Sequence, residues 1–255
     1  MASSLDLFRL DGQIAVVTGA SRGLGAAIAV GLAEAGADVA LLARGNCEMT
    51  AKAVRAAGRR TTIVPVDLVS PGAAAAAFAA AAAELGPPSI LVNNAGIIRR
   101  ADFIDYARDD WDDVLAVNLD AVFELSQAFA RSCLEGDRSG RIINIASMLS
   151  FQGGIRVAAY TAAKSALLGL TRALANELAP KGINVNAIAP GYMATDNTSA
   201  LRADAARNQA ILDRIPAGRW GEAQDLVGAS VFLASPASAY VQGAVLPVDG
   251  GWLAR

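Results

Sequence analysis

The sequence predicts a doubly wound α/β fold, one seven-stranded parallel sheet with helices on both faces. Three observations carry this reading. Short β-branched runs alternate with longer Ala/Leu-rich stretches of helical character along all 255 residues. Most of the short runs are apolar throughout rather than alternating, as befits parallel strands covered on both sides. Repeated β-α-β units with right-handed crossovers build such a sheet, and no linker or internal repeat interrupts them.

Strands are predicted at 14–18 (IAVVT), 38–42 (DVALL), 61–66 (TTIVPV), 90–93 (ILVN), 141–146 (RIINIA), 183–189 (INVNAIA) and 244–248 (AVLPV). Helices are predicted near 23–35, 47–57, 72–85, 110–135, 158–179 and 222–234. The segment AAAAAFAAAAA (73–83) is low in complexity, but Ala is the strongest helix former and Pro71 suits a first turn, so it reads as a structural helix. The run WDDVLAVNLDAVFELSQ is helical except for Asn118, a poor helix former expected to interrupt it. The chain reads as a single domain over 1–255, with 192–215 as a loop and helix insertion before the last helix.

Composition narrows the functional classes. Hydrophobic residues make up 54% and charged residues 18%, which excludes a disordered chain. The 22 basic and 24 acidic residues nearly cancel, and no basic block of five appears, so no nucleic-acid partner is expected. Asp6 and Arg9 sit where a signal peptide needs an apolar core, and Glu34 and Asp38 break the most apolar stretch, so neither a leader nor a membrane span is expected. Cys47 and Cys133 make no disulfide framework and suit a reduced, cytoplasmic setting. The chain has no histidine, which removes His-based triads and His-ligated zinc; no metal is expected.

The first strand runs into TGASRGLG (18–25) and then a helix. Gly19, Gly23 and Gly25, with Ser21, Arg22 and Leu24 between them, allow a tight turn that brings backbone N–H groups and a helix N-terminus against a diphosphate. The spacing is G-x-x-x-G-x-G rather than G-x-G-x-x-G. Asp67-Leu68 after the third strand, Asn94-Ala95-Gly96 after the fourth and Pro190-Gly191 at the sixth all fall at the C-terminal sheet edge, where open α/β sheets bind ligands. The second strand is followed by Arg44 and no acid, so Arg22 and Arg44 suit a 2′-phosphate and NADP. Both also read as solvated surface arginines.

Tyr160 and Lys164 stand one helical turn apart, thirteen residues after Ser147. A phenol titrates near 10, so phenolate at pH 7 costs about 4 kcal/mol unless a cation favours it. Tyr160 can then exchange a proton with an alcohol or ketone oxygen that Ser147 orients, without any histidine.

TGASRGLG, NNAG, Asn118, Ser147, Y-x-x-x-K and PG together resemble the short-chain dehydrogenase/reductase family along the whole chain. The resemblance implies a Rossmann-type fold, an oxidoreductase acting on CH–OH groups, and a homotetramer. It implies that Asp67 accepts from adenine, that Asn94 and Thr195 contribute to cofactor binding, that Lys164 also grips the nicotinamide ribose, and that Asn118 holds a water linking Lys164 to solvent. The segments NNAGIIRR, INIASMLSFQGGIRV, NAIAPGYMATDNT, ILDRIPAGRWG and VDGGWLAR are similar to the deoxy-sugar-acid dehydrogenases of that family. They imply a secondary hydroxyl and ketone interconverted on a sugar acid, and they lean to NAD, so the cofactor is read as NAD or NADP. A carboxylate substrate wants an arginine fork, for which Arg100 and Arg156 are candidates, with Gln152 and Met193 lining the same pocket. The competing readings are a reductase of acyl-carrier-protein-bound ketoacids and a cofactor-binding regulator without turnover. The terminal GWLAR is expected to pack at a subunit interface.

Overall fold

The computed structural model describes residues 3–255. Seven strands form one sheet: β1 (Ile14–Thr18), β2 (Asp38–Ala43), β3 (Thr61–Pro65), β4 (Ile90–Asn93), β5 (Gly140–Ile145), β6 (Ile183–Pro190) and β7 (Val245–Val248). Their order is β3-β2-β1-β4-β5-β6-β7 and every pairing is parallel. Each predicted strand is present within one residue of its predicted bounds.

The helices are α1 (Gly23–Glu34), α2 (Glu48–Ala56), α3 (Ala73–Leu85), α4 (Arg108–Leu115), α5 (Ala121–Glu135), α6 (Ala158–Leu178), α7 (Ser199–Ala203), α8 (Ala205–Leu212) and α9 (Val227–Ala234). Alternation along the strands assigns them to two layers. Ala15, Val17, Val39 and Leu41 point to one face, where Ile28 and Leu32 of α1, Val54 of α2 and Leu233 of α9 cover them. Val16, Ala40, Leu42 and Leu91 point to the other, against Phe78 of α3, Leu125 and Phe129 of α5 and Leu178 of α6. Truncating a fully buried member such as Leu91 to Ala would cost about 2–5 kcal/mol through lost burial and the cavity left behind.

Three helical expectations shift. The run predicted at 110–135 is broken at Ala116–Asp120 by one π-helical turn that carries Asn118. Its amide bonds to the main chain of Ile97, and such wide turns frequently mark functional positions. Pro71 lies ahead of α3 rather than in its first turn, because Gly72 takes a left-handed conformation (φ 76°) and the helix starts at Ala73. The last predicted helix begins as a tight turn, Ala223–Leu226, before α9.

The terminal Trp252 is buried in its own chain, with Met148, Ile211 and Ile215. The indole thus packs within its own chain, and an interface at the terminal GWLAR stays a proposal. Among the described residues no helix is long and apolar enough to cross a membrane, and no group of His, Cys, Asp or Glu is arranged to hold a metal ion.

Candidate active site

The glycine turn is tight because backbone and side chains occupy the space where Cβ atoms would stand. A Cβ on Gly25 would lie 2.3 Å from the Gly19 oxygen and 2.4 Å from Nδ2 of Asn94. One on Gly19 would lie 2.9 Å from Cα of Ala95, and Gly19 itself has φ +65°. Gly23 also needs its left-handed conformation (φ +56°), and its missing Cβ would face the Thr195 methyl at 3.9 Å. Thr195 thus stands over the loop that the family resemblance assigns to the same ligand.

Thr18 holds the turn together, and the sequence reading did not single it out. Its buried hydroxyl accepts from the N–H groups of Asn94 (3.0 Å) and Ala95 (2.9 Å). Asn94 answers by donating from Nδ2 to the Thr18 oxygen at 2.9 Å. The Asn94 side chain is therefore a strut between the β1 and β4 loops. Only the coincidence of a polar Thr ending an apolar strand beside NNAG could have signalled this.

No side chain caps the N-terminus of α1, whose preceding residue, Arg22, is extended. Its first amides are left for an anion. With the close glycine approach, this donor set fits a dinucleotide diphosphate. Ser21 lies beside the Arg44-Gly45 turn, its Oγ 3.3 Å from where a Gly45 Cβ would be. Arg44 pairs with Asp67 at 3.6 Å, and Arg22 pairs with Asp196 at 3.1 Å, all four side chains being largely exposed. Asp67-Leu68 follows β3, and Gly191 donates to the Val248 oxygen where β6 ends at Pro190.

The four polar residues predicted to act together converge at the end of β5. Ser147 follows that strand and opens a tight turn, its Oγ accepting from the N–H of Leu149. Tyr160 and Lys164 lie in the first turns of α6, with Lys164 Nζ 5.8 Å from the phenol ring centroid. Lys164 is buried and donates to the Ile145 oxygen at 2.6 Å. Burial lowers its pKa to about 8.

Burial also raises the Tyr160 pKa above 10, with a hydrogen bond from Ser147 and the charge of Arg100 acting in the opposite direction. In the chain alone the phenol is drawn toward ionisation by Ser147 and Arg100, while the neighbouring Lys164 itself loses its proton near 8.

Asn118 is fully buried, accepting from Ile97 N–H at 3.0 Å and donating to the Ile97 oxygen at 2.8 Å. Gly96 makes room, since a Cβ there would be 2.7 Å from Asn118 Oδ1 and 3.8 Å from Lys164 Nζ.

The residues predicted to meet substrate are less uniform. Arg156 holds Asp102 at 3.2 Å and has a positive φ (65°), and its oxygen accepts from Ala101 N–H. It thereby staples the loop after β4 to the loop before α6. Gln152 accepts from Trp252 Nε1 at 2.9 Å. Met193 is buried, forms a bridge with Gly221 and lines a cavity of about 350 Å³ with Tyr192, Arg219 and Asp249; the tetrad does not border that cavity.

A family model described as enoyl-(acyl carrier protein) reductase matches residues 19–253. A 2-dehydro-3-deoxy-D-gluconate 5-dehydrogenase of Dickeya dadantii is 56% identical over 98% of this chain and 99% of its own length. The chain belongs to the short-chain dehydrogenase/reductase family. Among solved members of that family, a candidate 2-deoxy-D-gluconate 3-dehydrogenase from Agrobacterium tumefaciens with bound NADP is 58% identical, with a TM-score of 0.93 over 98% of this chain and 99% of that one. A gluconate 5-dehydrogenase from Burkholderia cenocepacia, in complex with NADP and tartrate, is 41% identical, with a TM-score of 0.93 over 99% and 100%.

Proposed function

We propose that the chain is an NAD(P)-dependent oxidoreductase that interconverts a secondary alcohol and a ketone on a deoxy sugar acid, of the 2-dehydro-3-deoxy-D-gluconate 5-dehydrogenase or 2-deoxy-D-gluconate 3-dehydrogenase type. The observation that carries this reading is the convergence of Ser147, Tyr160 and Lys164 beside an uncapped glycine turn, in a chain 56% identical over nearly its full length to a sugar-acid dehydrogenase. A regulator that only bound a cofactor would need no such buried proton-handling group.

When bound, the nicotinamide cofactor supplies or accepts the hydride. The chain's own residues handle binding and the proton. Gly19, Gly23 and Gly25 would let the backbone approach the diphosphate, and Ser21, Leu24, Ala95, Gly96, Pro190, Gly191 and Thr195 are the further residues proposed to meet the cofactor. Asp67 and Leu68 would meet the adenine, and Arg22 and Arg44 would be the cations offered to a 2′-phosphate. In ketone reduction the Tyr160 phenol gives its proton to the carbonyl oxygen, and Ser147 donates a hydrogen bond to that oxygen. In alcohol oxidation the proton returns to Tyr160. Lys164, held by Ile145, would offer its remaining protons to the nicotinamide ribose. Asn118 engages Ile97 with its amide, so any water relay from Lys164 runs past its main chain.

Arg100, shortly after the NNAG loop that follows β4, is the carboxylate partner proposed. Segment 192–215, with α7 and α8, is the substrate-side element of a single 1–255 domain. A cytoplasmic homotetramer is the assembly proposed, supported by two buried free cysteines and by exposed Phe103, Ile104 and Phe123 near α4 and α5. The test is the initial rate with a 3-deoxy-2,5-diketo sugar acid under NADH and NADPH in parallel. Turnover abolished by Tyr160→Phe supports the reading, and turnover only of acyl-carrier-protein thioesters would replace it.

A further inference from the structure

The Gln152 amide has a fixed orientation. Its Oε1 accepts from Trp252 Nε1 at 2.9 Å and from Arg214 Nη2 at 3.4 Å. Indole and guanidinium nitrogens donate and do not accept. The amide oxygen must therefore face both, which turns the amide NH₂ away from them.

Of the two donors, Trp252 is firmly held and Arg214 stacks on it. Trp252 is 5% exposed, packs edge-on against Tyr192 at 4.7 Å, and carries the Arg214 guanidinium 3.9 Å from its ring centroid. Arg214 lies just beyond α8, between Asp213, whose oxygen accepts from Arg255, and the buried Ile215. Gln152 in turn belongs to the turn that Ser147 opens, its N–H donating to the Met148 oxygen at 3.2 Å.

We infer that Trp252 and Arg214 lock Gln152 as a hydrogen-bond donor, so that the Ser147 turn presents an NH₂ group to an acceptor-only group of the substrate. Trp252 is then a positioning residue for substrate selection, acting through Gln152. An ionised carboxylate only accepts, whereas a sugar hydroxyl serves in either sense. The lock therefore favours a sugar acid over the corresponding uncharged ketose. This inference rests on the sugar-acid reading and names a second contact for its carboxylate, beside Arg100.

The experiment compares wild type, Gln152→Glu and Trp252→Phe on a keto sugar acid and on an uncharged ketose of equal length. Glutamate still accepts from Trp252 and pairs with Arg214, so a Gln152 that merely anchored the C-terminal segment would tolerate it or be strengthened. As a donor it fails, because its second oxygen would meet the substrate carboxylate. The expected result is a KM for the sugar acid raised about tenfold or more, with kcat and the ketose parameters within about threefold, as loss of a charge-assisted hydrogen bond implies. Trp252→Phe keeps the ring but frees the amide to turn, and should raise the same KM by a smaller factor. An unchanged KM in Gln152→Glu, or equal losses on both substrates, would overturn the inference. If wild type reduces only uncharged ketones, the proposed function falls by itself. The lock is then read from gluconate as a competitive inhibitor, about tenfold weaker against Gln152→Glu; equal inhibition overturns it.

Discussion

Lys164 donates to the main-chain oxygen of Ile145 at 2.6 Å, which places a buried ammonium at the end of β5 and beneath the Tyr160 ring. Burial lowers its pKa from 10.5 to about 8. Between those two values the unfolded chain binds more protons at this site than the folded one, so stability from this group rises with pH. Below about 8 both states carry the charge and the burial penalty is complete. Lys164→Met should abolish turnover yet raise stability at pH 7 by about 1–3 kcal/mol, a gain that shrinks toward pH 10. Urea midpoints at the two pH values check it, and a lower midpoint for the variant at pH 7 would contradict it.

The phenol of Tyr160 titrates above its usual value of 10 in the chain alone, chiefly through burial. It is thus protonated at neutral pH and ready to give a proton to a ketone. Ketone reduction should be flat from about pH 6 to 8, while alcohol oxidation should climb through the alkaline range. Tyr160→Phe should lower kcat by about 100- to 10,000-fold in both directions, with cofactor affinity measured by fluorescence changing little.

Arg44 is exposed and held loosely by Asp67 at 3.6 Å. Such a pair is worth little in water, so the guanidinium is available to a phosphate. Arg44→Ala should cut kcat/KM for NADPH by about 10- to 100-fold and leave NADH nearly unaffected. Equal losses with both cofactors would show that Arg44 does not read the 2′ position.

Thr18→Val removes the oxygen that satisfies the amides of Asn94 and Ala95. The Asn94 amide keeps the Val92 oxygen at 3.1 Å, whereas the Ala95 amide is left without a partner in this partly buried seam, at a cost of about 1–3 kcal/mol. The variant should melt several degrees lower and bind cofactor more weakly, which thermal scans with and without NADPH would record.

Much of this was legible in the sequence, and the reasons are local. Apolar runs such as Ile14–Thr18 and Ile183–Pro190 announce buried parallel strands because both their faces are covered. The glycine turn, Ser147 and Tyr160 with Lys164 could be placed because spacing along a strand end or helix fixes their relative positions. What could not be read was which polar partner each side chain takes. Arg156 holds Asp102, 54 positions earlier in the numbering; Gln152 meets Trp252, 100 residues on; Arg22 meets Asp196. These partners depend on loops brought together by the finished sheet, and no periodicity encodes them. The π-helical turn at Asn118 was visible only as a residue out of character with its helix.

Five of the six strand pairings join neighbours in sequence order, and only β1 with β4 does not. Closing that seam encloses about 75 residues, the separation between Gly19 and Asn94. Long closures of this sort are the slow contacts of folding. The cleft lies across this one junction, so a dinucleotide held there would bind the closed seam and not the two halves apart. Occupancy of the site would then act as a clasp on the whole fold, slowing the step by which the molecule comes open and lengthening its life against proteases.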